Sequence, residues 1–222
     1  MSGMAFSQET LDFLFENRMH DSKAWYQEHK ADYMRYVAEP FSEFISALAP
    51  TILAIDKDFS VDPKRFSRLY RDARFSKGGS IFRDNVWCMF AHTTDVYAPL
   101  PGFYFEISPG GYEYGFGYYH AAAKSMQAIR SMILAGDKSF QAARKAYEEQ
   151  DVFVMAGDVY KRSRFPDADE KLTDWLNRRS IYFFARGADP ESLFAGNLAE
   201  KVAEDFRRIA PIYSFFMKAE EG

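Results

Sequence analysis

The chain has 222 residues, a formal charge of −4, and 47% apolar against 27% charged side chains. These proportions are ordinary for a globular protein and exclude the disordered and fibrous classes. The excess is aromatic, with 22 Phe, 14 Tyr and 3 Trp making 18% of the chain. The acidic balance disfavours a nucleic-acid binder that relies on global charge, while leaving a local basic patch open.

Cys88 is the only cysteine, so no internal disulfide or cysteine-rich zinc site can form, and a reducing compartment fits. The opening stretch MSGMAFSQETLDFLFENR has neither a basic leader nor a continuous apolar core. No apolar run approaches the ~18 residues of a membrane span. Repeats and Gly/Ser/Pro-rich linkers are absent. The expectation is one cytoplasmic domain with no membrane partner.

Residues 7–55 read as helical. Ser7 caps a helix carrying Leu11, Leu14 and Phe15 at helical spacing. A second helix, starting at Asp21 or Ser22 with Trp25, Tyr26, Tyr33 and Val37, should stop before Pro40, because the residue preceding proline disfavours the helical region. A third runs from Phe41 to Ile52. Between 60 and 120 the pattern changes to strand. Val86–His92 is one run, and Gly102–Ser108 alternates Phe103, Phe105 and Ile107 against Tyr104, Glu106 and Ser108. Pro109-Gly110-Gly111 turns the chain into Tyr112–Tyr119, which completes a hairpin. Helices return at Ala121–Leu134, Ser139–Glu149 and Leu172–Arg178, and Ile181–Phe184 is a buried strand. Asp189-Pro190-Glu191 starts a terminal helix through Leu198, Val202, Phe206 and Ile209, which Pro211 kinks or interrupts. The fold class expected is α+β: a mainly antiparallel sheet packed against N- and C-terminal helices.

Charge concentrates in residues 64–84, KRFSRLYRDARFSKGGSIFRD. Seven basic side chains against two acidic ones give +5, leaving −9 for the rest of the chain. A cationic island in an acidic protein suggests anion recognition, since guanidinium groups grip phosphate or carboxylate with paired hydrogen bonds. Ser76 to Ser80 is rich in small residues that let backbone N–H groups approach an anion, although P-loop spacing is absent. The competing reading is a set of structural salt bridges.

Within this island, Arg68-Leu69-Tyr70-Arg71-Asp72-Ala73-Arg74-Phe75-Ser76-Lys77 resembles the signature of the domain-of-unknown-function 2461 family. Trp25-Tyr26 with Tyr33, Pro101-Gly102-Phe103-Tyr104 and Ala128-Ile129-Arg130 resemble further segments of it, so the likeness covers about residues 6–217. The resemblance implies one globular domain of unassigned activity. It draws attention to Arg68, Arg71, Asp72, Arg74, Phe75, Ser76 and Lys77. Relatives commonly continue with D-K-[ST]-P-Y-K, whereas Gly78-Gly79-Ser80-Ile81-Phe82-Arg83 stands here. The later D-H-P segment is reduced to Asp167-Ala168-Asp169.

The expected site is therefore a small-molecule anion pocket. Arg68, Arg71 and Arg74 supply charge, Ser76 and Lys77 close over the ligand, Tyr104 lines it, and Asp72 and Phe75 support it. No nucleophile or general base can be named. His20, His29, His92 and His120 have no metal-site spacing, so no metal or cofactor is expected. His92 and His120 are read as structural, Cys88 as a core thiol, and Glu106 and Glu113, placed near each other by the hairpin, as solvated strand positions. The alternative is a protein-interaction or homodimer module with a structural arginine cluster. Nucleic-acid binding through the same arginines ranks third.

Overall fold

The computed structural model describes residues 6–72, 79–92, 99–187 and 189–221. Arg74, Phe75, Ser76 and Lys77 lie outside the described residues.

The N-terminal layer begins with α1 (Gln8–His20). Ser7 is its extended N-cap, as expected, and its backbone N–H donates to Thr10 Oγ1 at 3.1 Å. The helix ends at Asp21, which adopts a left-handed conformation (φ 45°). Ser22 then caps α2 (Lys23–Glu28) by accepting from the Trp25 N–H. After α3 (Lys30–Tyr33), the chain does not stop before Pro40. It passes through a π-helical turn, Met34–Ala38, directly into α4 (Glu39–Ile55). Pro40 comes just after the π-helical turn, and the Tyr36 carbonyl four residues before it, which a proline cannot serve, accepts instead from the Thr10 hydroxyl at 2.6 Å. This corrects the expected break.

The sheet is antiparallel throughout, with strand order β1-β2-β3-β5-β4. Its strands are β1 (Val86–Phe90), β2 (Gly102–Ser108), β3 (Gly111–Gly117), β4 (Val154–Ala156) and β5 (Tyr182–Gly187). The hairpin joins β2 and β3 in the expected place, with Ser108 opposite Gly111 across the two-residue turn Pro109-Gly110. The expected 181–184 strand is β5, and it pairs with β3. The short β4 was not anticipated, because three residues are too few to show alternation.

Helices α5 (Ala123–Leu134), α6 (Lys138–Glu148) and α7 (Glu170–Leu176) follow the expected positions. The terminal helix is divided. α8 (Pro190–Phe194) is capped by Asp189, which accepts from the N–H groups of Glu191 and Ser192. α9 (Leu198–Glu220) then continues through Pro211. The proline costs that helix about 3 kcal/mol. Apolar anchors on both sides of it, Phe206 and Ile209 before and Ile212, Phe215 and Phe216 after, are fully buried and hold the helix in one piece.

Alternation gives the sheet two unlike faces. One carries Val86, Cys88, Phe90, Phe103, Phe105, Ile107, Tyr114, Phe116 and Phe183, all essentially buried. Helices α4 and α9 cover it: Phe44 packs on Phe105 with ring centroids 4.1 Å apart, and Phe206 on Phe103 at 4.8 Å. Each such ring contributes roughly 1.5–3 kcal/mol by leaving water. Much of the aromatic excess is thus spent in a single core. The strands approach closely at Gly115, where a Cβ would overlap the Phe183 carbonyl oxygen.

Candidate functional site

Among the described residues, the second face of the sheet is the more exposed one. Trp87, Met89, Tyr104, Glu106, Ser108, Glu113 and Phe184 are half-buried there, and Tyr182 and Arg186 are exposed. Register places Trp87, Glu106, Glu113 and Arg186 in one row across β1, β2, β3 and β5. The next row holds Met89, Tyr104, Gly115 and Phe184.

The two carboxylates in the first row have different settings. The Tyr104 hydroxyl donates to Glu113 Oε1 at 2.6 Å, and Arg186 Nε donates to Oε2 at 2.5 Å. The Arg186 guanidinium also lies over the Phe184 ring, 4.9 Å from its centre. Glu113 thus accepts from two donors, one on each neighbouring strand. Burial, followed by the pull of Glu113, keeps the Tyr104 phenol far above its ordinary pKa. Glu106 receives the Asn85 side-chain amide, but burial and the nearby charges of Glu113 and Asp84 raise its carboxyl above the usual range. Glu106, half-buried in the row that starts at Trp87, is thus not the simply solvated strand position expected.

The charged motif reaches this face along the β1 edge. Phe66 bridges to Cys88, and the Ser67 N–H donates to the Trp87 carbonyl at 2.7 Å. A small ribbon follows, in which the Arg71 N–H bonds Ile81 O and the Arg83 N–H bonds Leu69 O, both at 2.8 Å. Asp21 fastens the ribbon to the helical layer, since its carboxylate accepts from the N–H groups of Ile81 and Phe82. Those bonds, that of Phe82 foremost, hold the Asp21 carboxyl below its ordinary range, and the charges of Arg18 and Arg71 reinforce them.

Of the expected site residues, Arg68, Arg71, Asp72 and Tyr104 are described. Arg71 Nε donates to Phe82 O at 3.1 Å, so this guanidinium braces the ribbon. Asp72 is half-buried, and Arg68 is exposed and makes no ion pair among the described residues. Tyr104 is committed to Glu113, and no hydrogen bond joins it to Arg68 or Arg71 among the described residues. The two regions approach one another at the start of β1, where the charges of Asp84 and Arg83 lie close enough to act on Glu106.

Sequence reasoning missed Arg186. Alternation along Ile181–Gly187 puts it on the Phe184 face, but only the β3–β5 register shows that it meets Glu113. The His92 Nε2 lies 2.8 Å from Asp56 Oδ2, which also accepts from the Tyr213 hydroxyl at 2.5 Å. Cys88 is a buried thiol whose pKa burial raises to about 12. Among the described residues, no group of three or more His, Cys, Asp or Glu is placed to hold a metal, and no helix is long and apolar enough to cross a membrane.

Fold and site together define an α+β protein with an antiparallel sheet, an arginine-rich ribbon on its β1 edge and a carboxylate–tyrosine–arginine array on its more exposed face. The chain belongs to the conserved hypothetical family DUF2461, whose model matches residues 9–215. No curated protein matches it.

Proposed function

We propose that the β1 end of the more exposed face binds a small-molecule anion of the phosphate or carboxylate type. Arg68, Arg71, Arg74, Ser76 and Lys77 receive its charge, and the Tyr104–Glu106–Glu113 array receives its neutral polar end. The observation that carries the reading is the brace formed by Asp21, Arg71 and Phe82. It fastens the described ends of the +5 segment, Leu69–Arg71 and Ile81–Arg83, to one another and to the helical layer, close to a half-buried glutamate. Prior fixing of charged groups lowers the ordering cost of capturing an anion. Glutamates, a tyrosine and Trp87 on the adjoining floor suit hydroxyl groups and a ring or sugar plane.

The reading is tested by thermal-shift titration with inorganic phosphate, sugar phosphates and nucleotides. Stabilisation by at least one, lost in Arg68→Ala and Arg74→Ala while both variants stay folded, supports it. Stabilisation by none, with a tight dimer by light scattering, overturns it in favour of an interaction module.

A further inference from the structure

At the other end of the more exposed face lies a cleft of about 610 Å³, lined by Tyr119, His120, Asp158, Arg179, Ser180 and Tyr182 among others. The volume falls in the range of small-molecule sites. Two antiparallel stretches build it, 157–160 and 177–180. Val159 bridges to Arg178, the Arg179 N–H donates to Asp158 O at 2.6 Å, and the Asp158 N–H donates to Ser180 Oγ at 2.9 Å. Gly157 permits the close approach: its φ is 121°, and a Cβ there would overlap the Ser180 carbonyl.

Adjacent arginines are used differently. Arg178 points inward and is consumed by Gly157 O, Met155 O and the Asp174 carboxylate. The Arg179 side chain is exposed and makes no hydrogen bond or ion pair among the described residues. Asp158 likewise makes no ion pair among them, although its own carbonyl is bonded to the Arg179 N–H. Opposite charges on bonded neighbours that do not neutralise one another leave two poles in one cleft. Ser180 uses its oxygen to accept from Asp158 N, which leaves its hydroxyl hydrogen to donate. Tyr119 and Tyr182 supply ring surface at the rim.

We infer that this cleft binds a small zwitterion of the α-amino-acid or dipeptide class. Arg179, with His120 and the Ser180 hydroxyl, takes the carboxylate. Asp158 takes the ammonium group, and the tyrosine rings favour an aromatic side chain. The inference does not depend on the anion site at the β1 end, because none of its residues is shared.

The test is calorimetric titration of the intact protein with L-phenylalanine, N-acetylphenylalanine and phenylalaninamide. The free amino acid should bind, and removal of either charge should weaken binding at least tenfold. Arg179→Gln should weaken the free amino acid at least tenfold yet leave phenylalaninamide affinity unchanged. Asp158→Asn should do the same for the free amino acid but not for N-acetylphenylalanine. Since the Arg179 side chain holds no other group, its variant should keep the wild-type melting temperature. Arg68→Ala should bind the zwitterion normally, which separates this cleft from the anion site. Absence of binding up to ~10 mM, equal binding of the one-charge analogues, or undiminished binding by a folded Arg179→Gln overturns the proposal.

Discussion

Glu106 and Glu113 stand opposite each other on β2 and β3, yet Glu113 is compensated by Tyr104 and Arg186 while burial raises the carboxyl of Glu106. A raised folded-state pKa means that the folded protein holds this proton more tightly than the unfolded chain. Stability is therefore lost as pH rises from the ordinary value of 4.5 through the raised one. Glu106→Gln removes that loss. Its melting temperature should exceed the wild-type value at pH 7–8, and the gain should vanish near pH 4; a gain that persists at pH 4 would contradict this.

Tyr104→Phe deletes the hydroxyl donor to Glu113 and keeps the ring. Arg186 still holds the carboxylate, so the cost should be about 1 kcal/mol in urea unfolding, and more when Arg186→Ala is already present. Strict additivity of the two would show that Glu113 does not couple them.

Asp56 joins three elements. It follows α4, accepts from Tyr213 on α9 and contacts His92 just beyond β1. Burial pushes its carboxyl up, but the hydrogen bonds from Tyr213, the Asp58 N–H and His92 outweigh that and lower it below 3.8. The resulting stability is present above pH 3.8 and is lost as pH falls through the lowered value. Asp56→Asn should cost roughly 1–2 kcal/mol at neutral pH, allowing for solvent access to the pair. The gap between variant and wild type should narrow below pH 4 in chemical-denaturation curves.

Arg71 serves as a brace, which separates it from Arg68. Arg71→Ala should lower stability by about 1 kcal/mol through loss of its bond to Phe82 O, whereas Arg68→Ala should leave stability within about 0.5 kcal/mol. Hydrogen exchange at the Ile81 and Phe82 amides should accelerate in Arg71→Ala only.

Gly115→Ala places a methyl group against the Phe183 backbone in the middle of the sheet. A loss of at least about 3 kcal/mol, or failure to fold, is expected from this overlap. An unchanged melting curve would disprove the β3–β5 spacing.

Local pattern carried a large part of the architecture. Strict alternation in Gly102–Ser108 identified β2, its buried phenylalanines and the outward placement of Tyr104 and Glu106, because side-chain direction in a strand follows position alone. The Ser7 and Asp189 caps were equally legible. Pro40 and Pro211 misled in the same way: their cost is local, whereas the burial that retains Pro211 within α9 comes from residues on the sheet.

The sequence by itself determined the fold class, the family resemblance and a cationic segment between the N-terminal helices and the first strand, since each rests on spacing along the chain. Only the tertiary structure decided which charges are engaged. It gave Glu113 to Tyr104 and Arg186, from β2 and β5, and turned Arg71 toward the Phe82 carbonyl. It also left Asp158 and Arg179 facing one cleft without an ion pair between them. The physical reason is range: hydrophobic period is a local property, while hydrogen bonds and desolvation depend on strand register and on which distant segment excludes water.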